Sequence, residues 1–180
     1  MINLNSKISQ KVLSYFLLNP EEELYMNEIV KKFSVDRGNL VKKLSEWEKE
    51  GILNKTKRGN LSLYKINKHY SLLEEMKKIV QKSFGLEEKL RTIFVKIKGL
   101  KRAFIFGSYA SNKLEPESDI DILIVGSHKS LEVEREIIKL EKEFDREINI
   151  IDMTESEFLK KKKNNEFVSN IFSNKYIQII

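Results

Sequence analysis

The segment spanning residues 104–125 constrains the fold of this chain more than any other stretch. Its sequence is FIFGSYASNKLEPESDIDILIV. The pattern predicts an apolar strand, a turn at Gly107 and Ser108 that opens a helix, and a second strand that carries Asp119 and Asp121. Because side chains alternate along a strand, aspartates two residues apart project from the same face. The segment is therefore expected to hold two carboxylates on one strand that follows a Gly-Ser turn.

These residues form a candidate site for a phosphate-bearing ligand and its cation. The Gly107-Ser108 turn offers backbone N–H groups and a hydroxyl to phosphate, and the helix that follows adds its dipole. Two carboxylates on one face repel each other unless a cation lies between them. Ligand sets made only of oxygen suit Mg²⁺ or Mn²⁺. The segment therefore predicts binding of a nucleoside triphosphate with its metal.

The Gly-Ser pair, ten further residues and then Asp-Ile-Asp within an apolar strand resemble the signature of the minimal nucleotidyltransferases of the DNA polymerase β-like superfamily. The resemblance covers roughly residues 100–180. It implies a small mixed α/β domain that transfers NMP from an NTP to a hydroxyl acceptor. The residues it assigns are the metal ligands Asp119 and Asp121 and the phosphate-binding residues Gly107 and Ser108. Lys113 and Arg102 are candidates for offsetting phosphate charge, and neither position is diagnostic.

The superfamily usually has a third acidic residue on the next strand, and this chain departs from that pattern. The aligned position is Asn149. An asparagine carbonyl can ligate a metal, but the amide cannot act as a general base. Glu147 lies two residues earlier on the same face and could substitute, whereas Asp152 is expected on the opposite face. The predicted catalytic residues are therefore Asp119, Asp121, Glu147 and Asn149. A milder departure is Asn112, where family members often have a glycine, since asparagine tolerates left-handed backbone.

The amino-acid composition limits the classes of protein to which this chain can belong. With 41% hydrophobic and 33% charged residues, the 180-residue chain suits one or two ordinary globular domains. The lack of cysteine excludes disulfides, cysteine-ligated zinc and thiol catalysis. No run of about 18 apolar residues and no signal-peptide pattern occurs. A cytoplasmic protein without a membrane span is therefore expected.

Charge is distributed unevenly along the chain. Residues 1–100 carry 20 Lys and Arg against 12 Asp and Glu, a balance of +8, whereas residues 101–180 carry 13 against 15. A basic first half favours a polyanion as partner. Lysines that only solvate helices would produce the same balance, so charge alone leaves both interpretations open.

Hydrophobic spacing predicts three helices in the first half, at about residues 6–18, 26–33 and 37–49. Asp36 is expected to cap the third helix and Gly51 to end it. Strands at residues 52–56 and 61–67 then flank a basic hairpin tip at residues 57–60. This order resembles the winged helix-turn-helix domain found in transcription regulators.

In such winged domains the start of the third helix enters the major groove and the wing touches the DNA backbone. The resemblance therefore implies DNA contacts by Arg37, Asn39, Lys42 and Lys43 of the third helix and by Lys55, Lys57 and Arg58 of the wing. A winged helix used for protein contacts or dimerisation is the open alternative. Winged-helix DNA binders are commonly dimers, so a homodimer is one expected arrangement.

Residues 70–98 are amphipathic and predicted mostly helical, with a break at Gly85. The first stripe, formed by Leu72, Leu73, Met76, Ile79 and Val80, is expected in a linker helix that could also dimerise. The second stripe, from Leu86 to Ile97, is expected to pack on the following sheet. The predicted fold is α+β, with a winged helix-turn-helix domain at residues 1–69, a helical linker at 70–98 and a small mixed α/β nucleotidyltransferase domain at 99–180.

Beyond the aspartate strand, the pattern predicts a helix at residues 129–144, a strand at 147–152, a helix from a Thr154 cap to about residue 163, helical spacing at 167–172 and a strand at 176–180. This alternation fits a mixed sheet with helices on its faces. His69 and His128 are separate in sequence, and both are expected at the surface rather than as ligands.

Three functions remain open from the sequence. The first, favoured by the Gly-Ser turn and the two aspartates, is an active nucleotidyltransferase whose acceptor is brought by DNA, RNA or a partner protein. The second, favoured by Asn149, is a DNA-binding transcription regulator whose nucleotidyltransferase domain is inactive or only senses nucleotide. The third is a protein-interaction module. Small nucleotidyltransferases often act as antitoxins that modify a partner toxin, so the resemblance also implies an antitoxin role compatible with the first two.

Overall fold

The computed structural model describes residue 4 and residues 6–180. These residues form a mixture of α-helices and β-strands that divides into two units, Met1–Leu86 and Glu87–Ile180. The division falls within the stretch expected to be a helical linker. Within the described part of the chain, none of the helices combines the length and the apolar composition that crossing a bilayer requires.

The first unit contains α1 (Lys7–Leu18), β1 (Leu24–Tyr25), α2 (Met26–Phe33), α3 (Arg37–Lys49), β2 (Leu53–Arg58), β3 (Leu61–Ile66) and α4 (Leu73–Ser83). Its antiparallel sheet has the order β1-β3-β2. The predicted helices and hairpin are confirmed, and β1 has no counterpart among the predicted elements. The hairpin tip is shorter than predicted, because Lys57 and Arg58 continue β2 opposite Ser62 and Leu61.

Local capping explains the bounds of α3. The Asp36 carboxylate accepts a hydrogen bond from the backbone N–H of Asn39 at 2.8 Å, which satisfies one of the donors left free at a helix start. After the helix ends, Gly51 adopts a φ of +74°, a conformation that glycine takes at little cost. Leu40, Leu44 and Trp47 are fully buried on one side of α3, so the opposite side is left to solvent.

The helix α4 belongs to the core of the first unit. Met76 and Val80 are 4% and 0% exposed and pack in the same apolar cluster as the residues of α1 and α3. Leu72 and Ile79 are more than half exposed. The stripe expected in a linker helix is therefore split, with two of its members buried in the first unit and two facing solvent.

The chain continues with α5 (Leu86–Phe94), β4 (Leu100–Phe106), α6 (Gly107–Ala110), β5 (Ile120–Gly126), α7 (Ser130–Phe144), β6 (Ile148–Met153), α8 (Glu155–Asn164), α9 (Glu166–Ser173) and β7 (Ile177–Gln178). The sheet of the second unit has the order β6-β5-β4-β7. β5 and β6 are parallel, and the other two pairs are antiparallel. The helix–strand alternation predicted for this half is confirmed.

One face of this sheet carries both an apolar core and the predicted aspartates. Leu123 and Val125 of β5 are fully buried in a cluster with Phe158 of α8 and with Val168 and Ile171 of α9. Because side chains alternate along a strand, Asp121 continues the same row at the start of β5. The second aspartate of the motif therefore lies on the sheet face that α8 and α9 cover.

Candidate functional site

The parallel pairing of β5 and β6 gathers three of the predicted catalytic residues. Asp119 immediately precedes β5, and Asp121 is the second residue of that strand. The strand register places Asn149 of β6 directly opposite Asp121. The Asn149 amide donates from Nδ2 to Oδ2 of Asp119 at 3.1 Å. The two carboxylates and the amide therefore form one group at the beginning of β5.

Burial and a neighbouring charge disfavour ionisation of Asp121. Burial raises the pKa of Asp121, the hydrogen bond from Asn149 opposes that rise, and the negative charge of Asp119 adds to it. Each raising effect disfavours the charged form of a carboxyl. A cation placed between the two carboxylates would remove the repulsion, so this arrangement favours cation binding.

The Gly-Ser turn lies against the aspartate pair. Gly107 adopts a φ of +73°, and a Cβ atom built on it would lie only 2.6 Å from Oδ2 of Asp121. Phe106, the residue before it, pairs with Asp121 in the sheet register. No L-residue fits this position without strain in its backbone and a collision with the carboxylate. Glycine is therefore required here both for its conformation and for its size.

The one-turn helix α6 is held by a buried tyrosine. Tyr109 is 9% exposed, and its hydroxyl lies 3.4 Å from a carboxylate oxygen of Glu87, to which it donates. Burial, followed by the Glu87 charge, raises the pKa of Tyr109 well above its usual range, so the phenol keeps its proton. Asn112 has a φ of +56°, which confirms that its position takes the left-handed backbone expected from the sequence.

A cavity of about 290 Å³ adjoins the turn. Gly107, Ser108 and Lys113 line it from the side of α6, and Phe167 and Asn170 line it from α9. Gly107 is thus shared between the cavity and the carboxylate group. The other predicted counter-charge, Arg102, lies elsewhere, with its guanidinium 5.6 Å from the ring centre of Phe158.

The donor set at this site fits Mg²⁺ or Mn²⁺. Asp119, Asp121 and Asn149 offer only oxygen atoms as ligands once the amide turns its carbonyl inward. The described residues contain no cluster of three or more His, Cys, Asp or Glu side chains that could hold a metal ion. Magnesium is commonly held by one or two carboxylates together with substrate phosphates and water. An aspartate pair beside the Gly107-Ser108 turn, which was predicted to bind phosphate, is compatible with that requirement.

Two further acidic residues, Glu147 just before β6 and Asp152 within it, are not bonded to this group. Glu147 is exposed, and within the described residues no hydrogen bond or ion pair joins it to Asp119 or Asp121. Its backbone carbonyl accepts from the N–H of Ile120 at 2.9 Å, which places it level with the start of β5. Asp152 accepts a hydrogen bond from the Ser130 hydroxyl at 2.7 Å, away from the aspartates.

The expectation that His128 is a surface residue is wrong. Its imidazole is 1% exposed, and Nε2 lies 3.2 Å from Oδ2 of Asp152. No local sequence pattern indicates this burial, because the aspartate that faces His128 is 24 residues away on a neighbouring strand. His69 is exposed, as expected.

Arg146 contributes to the site, and sequence reasoning did not identify it. It is only 6% exposed. Its Nη1 donates to the carbonyl oxygens of Glu115 at 2.8 Å and Ser118 at 3.2 Å, and also to that of Pro116. One guanidinium therefore holds the loop that leads into Asp119. Because the acceptors are backbone carbonyls, the residue types in this loop do not indicate the contact. The role of Arg146 becomes visible only from its burial in the structure.

The seven residues predicted to contact DNA fall into two groups in the first unit. Four have polar partners within that unit, namely Arg37 with Asn27, Lys43 with Glu46, Lys55 with Glu48 and Arg58 with Glu23. The side chains of Asn39, Lys42 and Lys57 are exposed and have no hydrogen bond or ion pair to any described residue. These three are available to a ligand without first breaking a contact.

Comparison with solved structures gives weak likenesses. A toxin–antitoxin complex with AMP-PNP matches at 18% identity and a TM-score of 0.39, over 52% of this chain and 72% of the other. The archaeal chromatin protein TrmBL2 matches at 17% identity and a TM-score of 0.31, over 96% of this chain and 73% of the other. Likenesses this low say nothing about the activity of this chain. A comparison with curated proteins finds no match.

A family model provides the firm assignment. The model described as a nucleotidyltransferase domain matches residues 87–177, just over half of the 180 residues. The matched region coincides closely with the second unit and contains the Gly107 turn, both aspartates and Asn149. The chain therefore belongs to the nucleotidyltransferase domain family.

Proposed function

We propose that the second unit is a metal-dependent nucleotidyltransferase that moves NMP from an NTP to a hydroxyl acceptor, and that the first unit is a winged helix that binds DNA. The observation that carries the first part is the contact between Gly107 and Asp121. It brings a turn suited to phosphate within van der Waals distance of a carboxylate suited to a cation. A nucleoside triphosphate carries both its phosphates and the metal that this juxtaposition requires.

The turn binds the triphosphate in this proposal. The backbone N–H groups at Gly107 and Ser108 and the Ser108 hydroxyl donate to the β- and γ-phosphates. Lys113 lines the same cavity and has no ion pair with a described residue, so its charge is available to phosphate. Tyr109 keeps α6 in place from the buried side, which fixes the position of these donors.

Asp119 and Asp121 hold Mg²⁺ or Mn²⁺, and the Asn149 carbonyl completes the set after its amide turns. A cation held by these residues would supply positive charge to offset the negative charge that develops on the attacking and leaving oxygens. In the transfer, the acceptor oxygen bonds to the α-phosphorus, the bond to the bridging oxygen breaks, and pyrophosphate leaves. Glu147 is the carboxylate best placed to take the hydroxyl proton, because it is exposed and Asn149 does not engage it.

Calorimetric titration of the protein with ATP, GTP, CTP and UTP, with and without Mg²⁺, tests the binding step. Magnesium-dependent binding is expected in the wild type. Asp119→Asn and Asp121→Asn are expected to lower the affinity by at least about 10- to 100-fold, the loss typical when residues that support metal ligands are changed. Glu147→Gln is expected to bind normally and to lose transfer of label from α-³²P NTP. Metal titrations unchanged in both aspartate variants would refute the assigned site.

The alternative function is a DNA-binding regulator or antitoxin whose nucleotidyltransferase unit is inactive or only senses nucleotide. The observation that favours it is Asn149, whose amide cannot accept a proton. Asn149→Asp distinguishes the two. Both proteins are mixed with NTP and with an extract of the source cells, which supplies the acceptor, and pyrophosphate release is measured. If only Asn149→Asp releases pyrophosphate, the natural chain senses nucleotide without transferring it. If the wild type is active and Asn149→Asp is no faster, asparagine is compatible with chemistry.

The first unit supports the DNA-binding part of the proposal through its free cations. Lys42 and Lys57 lie on α3 and β2, the elements that approach DNA in a winged helix, and both are exposed without an acidic partner among the described residues. Their positions suit phosphate contacts, which position the protein rather than read sequence. Mobility-shift titrations with duplex DNA at several salt concentrations test this. Absence of a complex with any duplex at low salt would leave the first unit as a protein-contact or dimerisation module.

A further inference from the structure

The cavity beside the Gly-Ser turn has a second wall that the phosphate site does not need. Phe167, Asn170, Ile171 and Asn174 of the α9 segment line it. Their spacing of i, i+3, i+4 and i+7 places them on one face of a helix. One face of α9 is therefore turned toward the cavity that Ser108 borders, and Ile171 on that face also packs in the core of the sheet.

Phe167 presents an aromatic surface in this wall. It is 50% exposed, and its ring meets Phe106 edge-on, with centroids 6.0 Å apart and planes at 81°. The other aromatic residues of this region behave differently, since Phe104, Phe158, Phe172 and Tyr176 contact one another in a separate cluster. The edge-on contact holds the Phe167 ring without covering it, so a flat ligand group can lie against it.

Asparagine amides lie next to this ring. The Asn170 side chain is exposed and makes no hydrogen bond with a described residue. The Asn174 amide donates from Nδ2 to the Asn170 backbone carbonyl at 2.8 Å, which leaves its Oδ1 free. The cavity therefore offers the NH₂ group of Asn170 as a donor and the Oδ1 atoms of Asn170 and Asn174 as acceptors, beside an apolar plane. Nucleobases require this combination, because each has a flat π-face and a polar edge.

We propose that the cavity between α6 and α9 binds the nucleoside part of the NTP, with Phe167 stacking on the base and Asn170 hydrogen-bonding to its edge. This assignment rests on the proposed function, because the phosphates of the same molecule occupy the Gly107-Ser108 turn. Lys175 also lines the cavity and adds positive charge on the α9 side. Stacking contributes to the affinity for all four bases, whereas the hydrogen bond from Asn170 is expected to determine which base binds most tightly.

The test compares NTPs with inorganic tripolyphosphate, which carries the phosphates and no base. Both ligands are titrated into the full chain with Mg²⁺. Phe167→Leu is expected to raise the Kd of every NTP by about 5- to 150-fold, the range that loss of one base–aromatic stack produces. The Kd of tripolyphosphate is expected to stay within about twofold of the wild type. Phe167→Tyr keeps the ring and is expected to restore NTP affinity.

Tyr176→Leu is the matched control, because Tyr176 is also a partly exposed aromatic residue of the C-terminal segment, 43% exposed, but it does not line the cavity. Asn170→Ala is expected to change the ranking of the four bases and to leave tripolyphosphate unaffected. Equal NTP affinity in Phe167→Leu and wild type, with tripolyphosphate still bound, would overturn this inference alone. A wild type that binds neither ligand would overturn the proposed function as well.

Discussion

Substitution of Gly107 by alanine tests the contact on which the site depends. Alanine at a φ of +73° costs about 1–2 kcal/mol in backbone strain. Its methyl group would also lie 2.6 Å from Oδ2 of Asp121, where ordinary contacts begin at 3.4 Å. The carboxylate must therefore retreat by roughly 0.8 Å. Leaving its rotamer well costs about 0.5–1.5 kcal/mol more, so Gly107→Ala is expected to lose about 1.5–3.5 kcal/mol of unfolding free energy.

The functional loss is expected to be larger than the loss of stability suggests. A ligand group displaced by about 1 Å costs on the order of 100-fold in a metal-dependent reaction. Gly59 provides the control, because its φ is +60° and no atom lies within 4 Å of a built Cβ. Gly59→Ala carries the backbone strain without the collision. Urea unfolding followed by circular dichroism measures stability, and calorimetry measures magnesium-dependent triphosphate binding. If the two variants behave alike in both assays, the Gly107–Asp121 contact has no role.

Three further perturbations follow from the described contacts. Arg146→Met removes the donor to the carbonyls of the loop 115–118 and is expected to lower the unfolding free energy by about 2–4 kcal/mol in urea titrations, with partial recovery in Arg146→Lys. Because burial raises the pKa of Asp121, the folded metal-free chain binds that proton more tightly than the unfolded chain and loses stability as the pH rises through the raised pKa. Asp121→Asn in EDTA is therefore expected to melt at a higher temperature than wild type at pH 7 and to lose this advantage in acid. Lys57→Ala is expected to reduce the slope of log K against log salt for DNA by about 0.9, whereas Lys43→Ala, whose partner is Glu46, changes it little.

Sequence reasoning succeeded where local chemistry decides the structure. The bounds of α3 follow from the Asp36 cap at one end and Gly51 at the other, and both lie within two residues of the helix in sequence. The break between α4 and α5 follows from Gly85 in the same way. The Gly107-Ser108 turn and the aspartate strand were predicted from spacing alone, because strand alternation fixes which side chains share a face.

Features that depend on distant partners were not predictable. β1 has only two residues, Leu24 and Tyr25, and exists because it pairs with β3. His128 is buried against Asp152, and Arg146 against carbonyls of a loop about 30 residues earlier. None of these contacts has a short-range signature, since the chain must fold before the partners meet. The placement of Phe167 beside Ser108 belongs to the same class.

The hydrogen bond from Asn149 to Asp119 provides a spectroscopic probe of cation binding at this site. Before a cation binds, the Asn149 amide N–H donates to Oδ2 of Asp119. A cation that binds Asp119 needs a lone pair of the same carboxylate. A half-turn of the amide exchanges nitrogen for oxygen and converts the donor into a ligand. The two side-chain protons of Asn149 therefore sit in different surroundings before and after a cation arrives. Cation occupancy becomes visible as a change in the nuclear magnetic resonance of one amide group, without knowledge of the nucleotide or of the acceptor.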